Sequence, residues 1–173
     1  MVAIANLAIF VAQVYLFAPF RVPSNSMVPT LQRGDRVLVD RNSRFGDVER
    51  GDLIVFRASA ERPDGTTFNA RAGADDSDAF IIKRVLALPG DSIQGGQQRI
   101  AIDNAEVLDE PYARWGNDDS SFGPESVPDG TVWVMGDNRA HSVDSRQYGT
   151  VPRVAFVGKA VGKYWPPTRI GGL

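Results

Sequence analysis

The chain has 173 residues, a formal net charge of −2, 43% apolar residues, no cysteine and a single histidine, His141. That length allows one domain of ordinary size, with enough apolar residues for one core. The charge balance offers no basic surface for nucleic acid, the missing thiols exclude disulfides, cysteine nucleophiles and thiolate metal sites, and one histidine excludes a multi-histidine site.

From Val2 to Phe20 the chain carries no charge, and Asn6 and Gln13 are its only clearly polar residues. About 20 apolar residues cross a bilayer core of about 30 Å, so 1–20 is expected to be a membrane-spanning helix, ended by Pro19, with Arg21 marking the return to water. Two other readings compete. A cleavable secretory signal ordinarily carries a charged n-region, which is missing here. A helix packed on the domain needs one apolar stripe, whereas here every face is apolar.

Residues 21–168 then read as one mostly β domain, with 169–173 as a tail. Strands are expected at Arg36–Asp40 after the turn Gly34-Asp35, at Leu53–Phe56 after Gly51-Asp52, and over Phe80–Leu88. Ile100–Ile102 precedes Asp103-Asn104, a hairpin turn signal. Thr131–Met135 and Val154–Tyr164 complete the set, closed by Pro166-Pro167. Residues 59–78, polar and rich in Asp, Arg and Gly, are expected to form a mobile loop. Residues 110–129, with Trp115 and Phe122, read as a small insert. The 17 glycines and 11 prolines suit strands and turns rather than long helices.

Three segments carry groups suited to chemistry. In Pro23-Ser24-Asn25-Ser26-Met27-Val28-Pro29 two prolines bracket two serines, and a stiff loop of this kind can hold a hydroxyl at a fixed height; an ordinary turn beside a membrane helix has the same composition. In Ile81-Ile82-Lys83-Arg84-Val85 a lysine sits in an apolar strand, where alternation puts it on the face of Ile81 and Val85. Burial lowers a lysine pKa, and a neutral amine can take a proton from a hydroxyl; an edge-strand lysine with a wet head group is the common alternative. Gly136–Arg146 packs turn residues, hydroxyls and an Asp144–Arg146 pair into one loop, where a charge-assisted bridge can form; a polar turn network without catalysis fits the same residues.

Taken together and in order, these segments resemble the bacterial type I signal peptidases, serine proteases of the Ser–Lys kind. The similarity rests on Val22–Leu31, on Arg50–Phe56, on Ile82–Asp91, and on Gly136–Arg139 with Ser142–Arg146; the two inserts lie outside it. Ala87 stands where the family often has glycine before Leu-Pro-Gly-Asp.

The resemblance implies an antiparallel β catalytic domain of the signal-peptidase and self-cleaving-repressor type behind one transmembrane helix. It implies Ser26 as nucleophile and Lys83 as general base, with Ser24 and the Ser26 amide facing the oxyanion. Ser142 would hold the Lys83 amine, and Asp144 and Arg146 would brace that loop. Phe20, Val22, Pro23, Met27, Leu31, Val55, Ile81 and Ile82 would contact substrate, lining two shallow pockets that favour small residues such as Ala. No cofactor and no metal are implied. The implied partners are signal peptides of exported preproteins, the lipid bilayer and nearby secretion machinery. The implied location is the bacterial cell membrane, single-pass, with the catalytic domain on the extracytoplasmic face. A self-cleaving repressor would need a DNA-binding helical domain, and nothing before Pro23 reads as one. A membrane-tethered β module without activity would make the serine and lysine motifs accidental.

Overall fold

The computed structural model describes residues 16–70, 80–104 and 106–173. They form three antiparallel sheets. The largest has seven strands, in the spatial order β1 (Phe17–Arg21), β2 (Arg36–Asp40), β13 (Phe156–Trp165), β3 (Leu53–Arg57), β6 (Phe80–Ala87), β11 (Thr131–Met135) and β12 (Val151–Pro152). A four-stranded sheet runs β10 (Phe122–Ser126), β7 (Ser92–Gly96), β8 (Arg99–Ile102), β9 (Glu106–Val107), and β4 (Ser59–Glu61) pairs with β5 (Thr67–Asn69). The short α-helix α1 is the single turn Ser145–Tyr148.

β3 and β6 lie in the middle of the large sheet and are apolar on both faces, as a strand covered on both sides requires. Leu53, Ile54, Val55 and Phe56 are all buried, and so is β6 from Ile82 to Ala87. Their side chains alternate between two cores. Ile54, Phe56 and Val85 join Phe68, Val134 and Val151, whereas Val55, Leu53 and Ile82 join Val22, Met27, Leu31, Val37 and Val39. A third core, Leu86, Ile93, Ile100, Ile102, Trp133 and Met135, binds the four-stranded sheet to the large one. Fully burying such a side chain contributes about 1.5–3 kcal/mol. Any polar group placed on β6 is therefore held by neighbours that cannot move cheaply.

Three expectations change, and the expected insert gains a strand. The apolar run expected as a helix to Phe20 is a strand from Phe17, paired residue by residue with β2 from Phe17↔Asp40 to Arg21↔Arg36; residues 1–15 of the expected anchor lie outside the described residues. Among those described, no helix is long and apolar enough to cross a membrane. The stretch expected as a mobile loop forms the β4–β5 hairpin over Ser59–Asn69, because Asp64 accepts from the Thr66 amide in the turn and Phe68 is buried; residues 71–79 lie outside the description. The insert contributes β10, which pairs with β7. The tail returns to the sheet: Gly171 exchanges both backbone hydrogen bonds with Lys163, and Arg169 pairs with buried Asp35.

Candidate active site

The Ser26 loop is closed at its neck and plugged into a core. The Val22 amide donates to the Asp35 carbonyl at 2.8 Å and the Gly34 amide to the Val22 carbonyl at 2.9 Å, so the chain between them must loop out. Met27 and Leu31 fill the second core, both fully buried, and the Leu31 amide bonds back to the Met27 carbonyl. Asp35, with no exposed surface, accepts from the Gln32 amide. Ser26, directly before a fully buried Met27, is thereby held against the sheet. The Ser24 hydroxyl lies 3.2 Å from Ser26 Oγ and 3.5 Å from the Ser26 amide.

Lys83 rises from the centre of β6, opposite Ile54 of β3. Its Nζ lies 2.6 Å from Ser26 Oγ, a contact made by residues 57 positions apart, and only 3% of the residue is exposed. Among the described residues the amine has no ion-pair partner. Burial lowers its pKa from 10.5 to about 8; the negative charges of Asp144 and Asp137 pull it upward, and Arg146 pushes it down. A neutral amine is thus accessible near neutral pH, within hydrogen-bond reach of a hydroxyl.

The Gly136–Arg146 loop forms the third wall. The Asn138 amide donates to the Ser26 carbonyl at 3.0 Å, and the Asn138 side-chain amide to the Asn25 carbonyl at 3.1 Å. Gly136 is required by closeness: a Cβ there would lie 2.5 Å from the Ser26 carbonyl oxygen and would overlap the Ser142 hydroxyl. Asp144 caps α1 in a capping box with Gln147 and accepts from the Gly136 amide at 3.1 Å. Arg146 donates to both Asp144 oxygens, at 2.9 and 3.0 Å.

The structure therefore brings Ser24, Ser26, Lys83, Ser142, Asp144 and Arg146 to one place. Ser142 differs in detail: its hydroxyl is buried without a hydrogen-bond partner among the described groups. His141, its neighbour, is exposed. Of the residues expected to contact substrate, Val22, Met27, Leu31, Val55 and Ile82 share the second core with Phe20 packed against it. Ile81 packs on the first core instead, and Pro23 is half-buried in the Ser26 loop.

Reading the sequence missed a second buried network. Arg84 forks onto Asp137 at 2.9 and 2.7 Å and donates to the Gly51 carbonyl at 2.8 Å; Asp137 also accepts from the Thr30 hydroxyl. Asp137 and Arg84 stood in the quoted motifs, but neither motif says that they meet. No cluster of His, Asp or Glu suited to a metal ion occurs among the described residues.

Comparison with known proteins places this chain among peptidases. The chain belongs to the signal peptidase family, peptidase S26, whose model matches residues 1–165. It is 40% identical over 154 residues to a signal peptidase I of Leptolyngbya laminosa, covering 88% of this chain and 70% of that one. It is 35% identical to a signal peptidase I of Mycobacterium tuberculosis strain H37Rv, covering 97% and 71%. A thylakoidal processing peptidase 1 of Arabidopsis thaliana is 35% identical over 158 residues, 90% of this chain and 44% of that one. Among solved structures, a signal peptidase I from Enterococcus faecalis V583 superposes with a TM-score of 0.50 and 25% identity, covering 66% of this chain and 97% of that one.

Proposed function

We propose that this peptidase removes N-terminal signal peptides from exported preproteins at a membrane surface, cutting after small residues, with Ser26 as nucleophile and Lys83 as general base. The observation that carries the reading is the buried 2.6 Å contact between Lys83 Nζ and Ser26 Oγ. An extended substrate pairs beside the site by strand addition. Support comes from the register: β11 meets β6 only from Arg84 onward, so Phe80–Lys83 pair with β3 on one side and keep the other edge unpaired among the described strands. Small side chains enter pockets lined by the second core and by Ile81.

The steps follow from proton bookkeeping. The neutral amine takes the Ser26 hydroxyl proton as Oγ attacks the scissile carbonyl carbon. Negative charge develops on the carbonyl oxygen, faced by the Ser26 amide and by the Ser24 hydroxyl once that hydroxyl turns from Ser26 Oγ. The ammonium then gives its proton to the leaving amine. The same amine activates a water to release the acyl group, restoring Ser26. Ser142 steadies the amine between steps, and Asp144 with Arg146 holds that loop.

Ser26→Ala and Lys83→Ala test the assignment. Each lowers cleavage of a preprotein by about 10⁴- to 10⁶-fold while circular dichroism still reports a folded β domain. Ordinary cleavage by either folded variant would refute the dyad. Lipid anchoring and a single membrane pass belong to the same proposal, and flotation of the full chain with vesicles tests them.

A further inference from the structure

Between β9 and β10 the chain passes behind the Gly136–Arg146 loop. It touches that loop through one bridge at Arg114: the Arg114 amide donates to the Asp137 carbonyl at 2.6 Å, and the Arg139 amide to the Arg114 carbonyl at 2.8 Å. Each of the three arginines that brace the site meets a side chain of this segment. Glu110 receives both terminal nitrogens of Arg139, whose guanidinium also stacks at 4.6 Å from the Trp115 ring centre. Asp118 pairs with Arg146. Tyr112 lays its ring 3.9 Å from the Arg84 guanidinium carbon.

The Tyr112 contact is the one nearest the chemistry. Arg84 has its edges filled by Asp137 and the Gly51 carbonyl, so a face is what remains, and Tyr112 covers one. A cation over a ring is attracted to its face, more strongly when dry, and the ring also excludes water. Asp137, fully buried, is one of two carboxylates whose charge favours the ammonium form of Lys83; Asp144 is the other. Arg84 neutralises the first as Arg146 neutralises the second.

We propose that Tyr112 is a positioning residue for the dyad: by covering the Arg84 guanidinium it keeps the Arg84–Asp137 pair closed and dry, and so keeps Asp137 from acting as a counter-ion for the Lys83 amine. This rests on the Ser26–Lys83 reading above. Removing the ring lets water reach Arg84 and frees part of the Asp137 charge. Both changes favour the ammonium. The groups facing Lys83 are Asp144, Asp137 and Arg146, and those facing Tyr112 are Glu110, Arg84, Arg139 and Asp137. Of the second set, Arg84 is in contact with both the ring and Asp137, and Asp137 acts on the amine through its charge.

The test is the pH profile of kcat, measured on the full chain with wild type and Ser26→Ala as references. Tyr112→Phe keeps the ring and should match wild type. Tyr112→Met removes the ring; its acid limb should move upward by about one pH unit, which below that limb is about a tenfold loss of kcat. Its KM should stay near wild type and its loss should shrink at high pH. Arg84→Lys combined with Tyr112→Met should show less than the sum of the two effects, because both act on one pair. A folded Tyr112→Met with an unmoved acid limb, or with equal loss at every pH, overturns the proposal. Should that variant not fold, pentafluorophenylalanine at position 112 keeps the shape and reverses the charge pattern of the ring face; it should shift the limb in the same direction, and an unmoved limb again overturns the proposal. Activity in Ser26→Ala would instead mark the failure of the dyad reading itself.

Discussion

Two neighbouring cations on β6 are treated in opposite ways. On one face of the strand the Lys83 amine meets a hydroxyl and, among the described residues, no ion-pair partner. On the other face Arg84 meets a carboxylate in a fork, a carbonyl and an aromatic ring. Both residues are more than nine-tenths buried, at 3% and 7% exposure, so burial does not separate them. The counter-charge does. A buried cation without an ion-pair partner holds its proton less tightly, which suits Lys83 to the proposed role of base; Arg84, forked onto Asp137, serves as a structural clamp. Arginine suits the second place because its guanidinium does not deprotonate and matches a carboxylate edge to edge.

Three substitutions break or sharpen that contrast. Lys83→Met has the largest effect. It removes the proposed base, so kcat/KM falls about 10⁴-fold or more, yet it should stabilise the fold. The folded pKa of about 8 lies below the ordinary 10.5, so the unfolded chain binds the proton more tightly. The penalty is therefore complete below pH 8 and fades as pH rises toward 10.5. At about 1.36 kcal/mol per unit it is on the order of 3 kcal/mol. Urea denaturation at pH 7 should show Lys83→Met more stable than wild type, and the wild-type rise in stability between pH 8 and 10.5 should flatten. Equal stability and equal slope would mean that the amine is hydrated in the native state.

Arg84→Met acts the other way. It strands Asp137 in the interior with the Thr30 hydroxyl as its remaining side-chain partner, which costs about 3–5 kcal/mol. Calorimetry should show Tm lower by roughly 10 °C; an unchanged Tm would place the fork among contacts that add nothing. Arg169→Ala is the mildest. Arg169 keeps 29% side-chain exposure, and Asp35 retains the Gln32 amide, so the loss should be about 1 kcal/mol. A much larger shift in the urea midpoint would show that the C-terminal segment holds the Ser26 loop more firmly than one half-exposed pair can.

Much of the large sheet was legible beforehand. The expected Arg36–Asp40 and Thr131–Met135 match β2 and β11 residue for residue, and Phe80–Leu88 exceeds β6 by one. Asp103 and Asn104, expected as a hairpin turn, both take positive φ, 53° and 60°, between the paired strands β8 and β9. β7 was missed because Ser92-Ile93-Gln94-Gly95-Gly96 has one apolar side chain and two glycines; it is a strand because β8 and β10 flank it. Gly95 suits that place, since a Cβ there would collide with Phe122, which stacks on Trp133. Phe17–Phe20 is expected as the end of a helix because its apolar residues continue an uncharged run. Pairing along β2 decided otherwise, and pairing is a long-range property that no local run of residues carries.

At the site, the sequence by itself determined which chemical groups are at hand: a stiff serine loop, a lysine in an apolar strand, and a loop bearing an aspartate–arginine bridge. The tertiary structure alone decided that Ser26 and Lys83 meet, that Asp137 is taken by Arg84 rather than by Lys83, and that Glu110, Tyr112, Trp115 and Asp118 back the braces. The physical reason is that pKa and reactivity depend on dielectric and on the nearest charge. Both are fixed by residues far apart in the chain, and spacing along a sequence measures neither.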